Sequence, residues 1–184
     1  MWFCGHPFIG GNCPKNDGWE LEEVNMPVEL SPSAQRVQQA LQQLGYSYEV
    51  VEQSASTRTA IEAAEAIGCQ VGQIVKSLVF KSKRSGTPIL VIASGENRVR
   101  EERIEALITE PLGKANAEFV RHQTGFAIGG VPPVGHIRKI TTFIDQDLFQ
   151  YEEIWAAAGT PNAVFKLRAK SLVPMTGGQV VQIT

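Results

Sequence analysis

At 184 residues, with 43% hydrophobic and 20% charged content, the chain is the size of one domain and can bury a core of its own. Its formal net charge of -2 excludes a global attraction to nucleic acid, so such a partner would have to be met by a local basic patch. Three cysteines, Cys4, Cys13 and Cys69, with no CxxC pair, argue against a disulfide framework and for a reducing compartment, the cytoplasm.

No run approaches the roughly 18 apolar residues of a membrane helix, so no membrane partner is expected. The first 26 residues are rich in Gly, Pro and Asn and lack the basic-then-apolar order of a signal peptide. They read as part of an irregular tail over 1–30, ahead of a single domain over 31–184, and Met26 is a candidate natural start. Cys4, His6 and Cys13 lack the further ligand pair that would complete a zinc site, so no metal is expected.

Ser31-Pro32 opens a helix, in which Val37, Ala40, Leu41 and Leu44 recur at helical spacing until Gly45. Tyr46 to Glu52 reads as a strand, followed by the polar loop Ser54-Ala-Ser-Thr-Arg-Thr59. Thr59 and Glu62 stand three apart, as in a capping box, before a helix over Ala60 to Ile67. Arg58, at the entrance to that helix, is placed either to hold an anion beside free N–H groups or simply to face solvent. Gln73 to Lys81 is rich in β-branched and aromatic residues and reads as a buried strand. Alternation sets Lys76 on the same side as Ile74, Leu78 and Phe80, where a lysine either reaches water at a strand end or aims into a cleft. Pro88 to Ala93 is a second buried strand, adjacent to the first, and Ser94-Gly-Glu-Asn-Arg98 is the polar loop after it.

Helices are expected over Glu101 to Ile108 and Ala115 to His122. The apolar run Phe126-Ala-Ile128 reads as a short buried strand ending in a stiff loop, Gly129-Gly-Val-Pro-Pro-Val-Gly-His136. Bare glycine backbone beside consecutive prolines makes either a structural turn or a rigid set of amide donors. Lys139 to Asp145 alternates as a strand, Glu153 to Ala158 and Ala163 to Leu167 read as a pair around Gly159-Thr-Pro-Asn162, and Gln179 to Ile183 as a last strand. The order implies a single α/β domain of the α+β type, a mixed, largely antiparallel sheet with helices packed outside. The candidate basic patches are Lys81, Lys83 and Arg84, and Arg98, Arg100 and Arg103; either set serves equally as a solvated surface. Cys69 reads as a small buried hydrophobe and His122 as a surface or packing histidine.

Three of these stretches, Ile74-Val-Lys-Ser-Leu-Val-Phe80, Thr124-Gly-Phe-Ala-Ile-Gly-Gly-Val-Pro-Pro-Val-Gly-His136 and Ala157-Ala-Gly-Thr-Pro-Asn162, occur in the order and spacing of a known family. They resemble the YbaK family, also called the prolyl-tRNA-synthetase-associated domain family, from Ser31 to the C-terminus. The resemblance implies a free-standing aminoacyl-tRNA deacylase that edits in trans, its sheet curled around a substrate pocket. The partner implied is a mischarged aminoacyl-tRNA, tRNA-Pro carrying a small wrong residue such as Ala, Ser or Cys, with prolyl-tRNA synthetase a candidate second partner. Lys76 matches the family's central lysine, and Gly129 to Pro133 matches its Gly-x-x-x-Pro loop. Asp145 and Gly159 match the aspartate and the hairpin glycine that line the pocket, and His136 stands where some relatives carry another residue.

The catalytic set expected on this basis is Lys76, Gly129 and Gly130, and the substrate-binding set is Thr57, Arg58, Ser94, Pro132, Pro133, His136, Asp145 and Gly159. An aminoacyl ester is already activated, so the task is to place a nucleophile and stabilise an oxyanion, one donor of which is worth about 2.7–4 kcal/mol. Amides around Gly129 and Gly130 suit that role, while the Lys76 charge suits anchoring the phosphate or ribose end or polarising the ester. Water, oriented by a ribose hydroxyl, is the expected nucleophile, or the sulfur of a thiol substrate, because the sequence has no Gly-x-Ser-x-Gly elbow. No cofactor and no DNA partner are expected. Two other readings stay open: a non-catalytic module binding a tRNA acceptor end or a nucleotide, and a Schiff-base enzyme using Lys76.

Overall fold

The computed structural model describes residues 29–53 and 59–184, so Thr57, Arg58 and the tail through residue 28 lie outside the described residues. Helix α1 (Pro32–Gln43) starts at Ser31, whose Oγ accepts the Ala34 N–H, and turns Ala34, Val37 and Leu41 into the core. It is followed by β1 (Val50–Glu52) and α2 (Ala60–Ile67), capped by Thr59 Oγ1 on the Glu62 N–H at 3.1 Å. A 3-10 turn over Val71–Gln73 leads into β2 (Ile74–Ser82) and β3 (Pro88–Ser94). Then come α3 (Glu101–Ile108), β4 (Leu112–Lys114), α4 (Ala117–Thr124) and β5 (Thr141–Asp145). The last part holds β6 (Glu153–Ala157), β7 (Ala163–Arg168), α5 (Leu172–Thr176) and β8 (Gln179–Val181).

The eight strands form one sheet in the order β1-β7-β6-β2-β3-β5-β8, with β4 pairing β2 off this path. Pairs β1/β7, β2/β3, β2/β4 and β6/β7 are antiparallel, and β2/β6, β3/β5 and β5/β8 are parallel. The expected mixed α/β domain is therefore present, with its two most apolar strands, β2 and β3, at the middle. Directly opposed residues share a face. One face carries Val75, Leu90, Ile92, Ile144, Ile154 and Ala156 beneath α1 and beneath Phe126, Val131 and Val134. The other carries Leu78, Phe80, Val91, Ala93 and Phe143 with Ile104 of α3, and Ile74 with Ala63 and Ala64 of α2.

Two local expectations are corrected, and one strand is added. Phe126–Ile128 is not a strand: Gly125 (φ 82°) ends α4 and Gly129 (φ 89°) turns the chain again, leaving no length for a ladder. Tyr46–Glu49 has no strand partner, because Gln38 of α1 takes that place: its Nε2 donates to Tyr48 O (3.0 Å) and its Oε1 accepts from Val50 N–H (2.8 Å). The short strand β4 went unread, as three residues around Gly113 carry no periodic signal.

The loop after α4 is docked by backbone. Gly159 N–H donates to Gly130 O (2.9 Å), and a Cβ on Gly130 would lie 2.7 Å from Thr160 Cα. A Cβ on Gly159 would lie 2.5 Å from Ser33 O. Glycine here serves close approach, and the loop, the β6–β7 turn and the start of α1 stack through it. Glu52 fastens the same junction: Oε2 accepts the Ser31 N–H (2.8 Å) and Oε1 the Thr160 hydroxyl (3.1 Å).

Two outcomes are expected. Gly130→Ala should lower stability by about 1–3 kcal/mol through overpacking, read as a drop in the urea midpoint at unchanged slope. The Ser31 N–H, the largest influence, holds the Glu52 carboxyl below its ordinary value of 4.5. A depressed carboxylate contributes stability that is complete above its unfolded value and lost as pH falls through the folded one. Glu52→Gln should therefore lower Tm at pH 7 and lose less Tm than the parent on acidification below about pH 4.5; equal losses would remove the assigned role.

Candidate active site

Strand β2 pairs β6 only at Ile74–Trp155 and Val75–Ala156, then parts from it to meet β4 at Phe80–Ser82. The opening between them forms a hollow of about 610 Å³, within the range of small-molecule sites. Its floor is Ile74, Lys76 and Leu78 with Trp155, Ala157 and Val164, and Ala60, Ala63 and Ile67 of α2 cover it. Ile128, Gly129, Val131 and Pro161 close one end. A second trough of about 720 Å³, between Ser82, Glu110, Lys139 and Gln179, holds none of the expected site residues.

Lys76 and Gly129 thus line one hollow. Lys76 is half-buried, and its ammonium donates to Gly95 O (3.0 Å) and Asn97 O (2.6 Å). An ammonium has three N–H donors, so two carbonyls leave one for the hollow. Burial pushes the Lys76 pKa down, and the negative charge of Asp145 opposes that shift. Register explains the opposition. Lys76 faces Ala93 across β2–β3, and one residue beyond the Ile92–Ile144 pair of β3–β5 stands Asp145, in the same row.

Asp145 is buried and fully engaged. Its Oδ2 accepts the Ser94 N–H (3.0 Å) and the Asn97 amide (2.8 Å), and its Oδ1 accepts the Asp147 N–H (3.1 Å). Ser94 turns its hydroxyl to Gly72 O (2.8 Å), away from the hollow's lining set. Asp145 and Ser94 therefore stand behind Lys76 and fix the loop that holds it.

In the diglycine bend, Gly130 N–H donates to Ala127 O (3.0 Å), with Gly129 at the third position of the turn. A positive φ at that position is the requirement of a type II turn. The Gly130 amide is consumed there, so Gly129, which lines the hollow, is the one of the pair left to face a ligand. Pro132 and Pro133 are buried behind it. His136 donates Nε2–H to Pro132 O (2.7 Å), since a carbonyl can only accept. Burial pushes its pKa down, which keeps the imidazole neutral. His136 also meets the edge of Phe126, over which Arg36 lies at 4.6 Å. These residues and Gly159 build the back of the loop; they do not line the hollow.

Residues that sequence reasoning passed over include Trp155, Ala60 and Ala63, Ser77 and Asn97. Alternation along β6 would have set Trp155 beside Ala157 on the hollow's side. Ser77 is among the residues lining the hollow, and its Oγ is buried without a hydrogen-bond partner among the described residues. Burial pushes the Cys69 thiol pKa up, which disfavours the reactive thiolate, and His122 is exposed. Of the expected basic patches, Lys83, Arg98 and Arg100 border a surface groove together with Glu101, Glu102 and Glu105, so that surface is of mixed sign. Lys81 lies over the Phe119 ring at 5.1 Å. Among the described residues no cluster of His, Cys, Asp and Glu could hold a metal ion, and no helix is long and apolar enough to cross a membrane.

Comparison with known proteins adds three relatives and a family. A crystal structure of a "putative trans-editing enzyme for prolyl tRNA synthetase" matches with a TM-score of 0.80 and 51% identity, covering 85% of this chain and 99% of that one. YwhH of Bacillus subtilis (strain 168) is 29% identical over 67% of this chain and 78% of its own. EbsC of Enterococcus faecalis (strain ATCC 700802 / V583), a "putative Cys-tRNA(Pro)/Cys-tRNA(Cys) deacylase", is 25% identical over 68% of this chain and 77% of its own. Residues 54–173 match the model of the aminoacyl-tRNA editing domain, and the chain belongs to that family.

Proposed function

We propose that the chain is a free-standing deacylase that hydrolyses the ester of a mischarged tRNA, with tRNA-Pro bearing Ala, Ser or Cys as substrate and prolyl-tRNA synthetase as a functional partner. The observation that carries this reading is the shared hollow, in which a spare ammonium N–H of Lys76 and the Gly129 bend flank a largely apolar space. The aminoacyl side chain lies against Ala60, Ala63 and Trp155, and the ester carbonyl lies towards the lysine. Water adds to that carbonyl, and the negative charge that forms on oxygen is met by the ammonium and by the Gly129 N–H. The carbon–oxygen bond to the ribose then breaks, the ribose oxygen takes a proton, and free amino acid and tRNA leave. A ribose hydroxyl of the substrate is the natural group to orient the water; for a cysteinyl ester the substrate's own thiol can attack in its place. That attack expels the ribose oxygen, which takes the thiol proton, and releases a cyclic thioester that water then opens to the free amino acid.

Discrimination follows from shape. Small helix residues over the hollow leave space for a short side chain, while the stiff Gly-Pro loop limits its depth. Differences of one methylene in such a wall are worth about 1–3 kcal/mol.

Purified protein should release amino acid from Ala-, Ser- or Cys-charged tRNA-Pro, and Lys76→Ala should lower kcat/KM by on the order of 10²–10³-fold, the loss typical of one oxyanion partner. Saturable tRNA binding with no release at stoichiometric protein would replace this reading with a binding module. Ala63→Phe, which intrudes on the hollow, should cost the larger of these side chains more rate than alanine, seen by comparing kcat/KM across the three charged tRNAs; equal losses would take the wall of α2 out of the sieve.

A further inference from the structure

The ammonium of Lys76 is aimed by carbonyls of the loop after β3, and a carbonyl on a loop is only as fixed as the loop. Gly95, the first of them, has no freedom to move inward, since a Cβ there would lie 2.1 Å from Val71 O. Asn97, the second, closes the turn by donating its N–H to Ser94 O at 3.0 Å. Its side chain then does something no neighbouring residue does. Nδ2 lies 2.8 Å from Asp145 Oδ2 and 2.6 Å from Asp147 Oδ2, so both amide hydrogens are given to carboxylates. The orientation is forced by chemistry, because the amide oxygen could not face two acceptors.

We propose that Asn97 is a positioning residue of the site: its main-chain oxygen sets where the Lys76 ammonium points, and its carboxamide, bridging Asp145 and Asp147, fixes that oxygen in place. The proposal rests on the reading of Lys76 as the charge that meets the substrate. A neutral two-donor group is what the place requires. An aspartate would set a third carboxylate against two, and a lysine would bring a second ammonium up to that of Lys76. The charged and titratable groups around the bridge are Asp145, Asp147 and Lys76, with Glu96 and Tyr151 next to them; Glu96 and Asp147 both help burial to hold the Tyr151 phenol above its usual value. Of the cations among these groups Lys76 alone could turn to the two carboxylates in place of the carboxamide, and that substitution would swing its ammonium away from the hollow.

The test has a chemical arm and a kinetic arm. Reductive methylation of the folded protein with formaldehyde and a borohydride reagent, followed at Lys76 by peptide mass spectrometry, reports how firmly the amine is held. Asn97→Ala should raise the Lys76 labelling rate several-fold with the other lysines unchanged. It should also lower kcat for alanine release from Ala-tRNA-Pro by on the order of 10²-fold, the effect of misplacing a reacting group by about 1 Å, while KM for tRNA moves little. Asn97→Asp should do the same or more. An unchanged Lys76 labelling rate in a variant with unaltered Tm overturns the proposal. If Asn97→Ala does not fold, Asp147→Ala, which removes one arm of the bridge from outside the loop, gives the same two readings. Raised labelling in a series where even the parent protein releases no amino acid would leave the positioning role standing and sink the deacylase reading instead.

Discussion

A lysine on the second residue pair of a central strand is the constraint around which the rest of the structure is arranged. Desolvating an ammonium costs several kcal/mol unless its donors are satisfied. In a sheet interior the ladder has already used the strand's own carbonyls, so the acceptors must come from elsewhere. Here they come from the loop leaving β3, which delivers Gly95 O and Asn97 O to one ammonium. That loop can stay where it is because Asp145 ends β5 within reach of it and accepts from both Ser94 and Asn97. Strands β2, β3 and β5 are thereby tied at the level of the hollow by polar contacts, while their apolar residues tie them elsewhere.

The hollow itself is a consequence of β2 serving two partners. Its parallel pairing with β6 lasts two residue pairs, and its antiparallel pairing with β4 takes over at the other end. Between these, the backbone and side chains of residues 76–78 have β3 on one side only. A gap in a sheet would ordinarily collapse or fill with side chains. It stays open because the β6–β7 hairpin is held off by the diglycine loop on one side and by α1 on the other, through contacts that admit no Cβ. Rigidity of this kind suits a site that must reject a ligand by size, since a wall that yields cannot discriminate.

Much of this was legible before any coordinates. Alternation alone put Lys76 with Ile74, Leu78 and Phe80, and the register agrees. Glycines and prolines marked the loop of 129–136, and capping residues marked α1 and α2. What composition could not do was separate a buried turn from a buried strand, and Phe126–Ile128 is apolar for the first reason. It could not say which glycines offer an amide and which offer closeness; Gly130 and Gly159 belong to the second kind. Asn97 was passed over for another reason. It acts through a main-chain atom and through partners 48 and 50 residues away, and neither property leaves a mark in local sequence. Ala60 and Ala63 read as helix formers, and only the sheet beneath them turns their smallness into space.

Why an asparagine intervenes, when lysine and aspartate stand in one row of the sheet, has a physical answer. Among the described residues the close ion pair is Lys166–Glu153, on the surface; Lys76 and Asp145 form none. A direct pair would have satisfied both charges and spent the lysine's field on its neighbour. With Asn97 bonded to the lysine through its main-chain oxygen and to the aspartate through its carboxamide, Asp145 favours the charged lysine without touching it, offsetting part of the shift that burial imposes. The ammonium meanwhile accepts neutral carbonyls as its fixed partners and keeps a donor unspent. The carboxylate satisfies its own oxygens with N–H groups and does not compete for that donor. A cation that is held, kept charged and not neutralised in contact is the arrangement that can answer a negative charge appearing later on a bound ester.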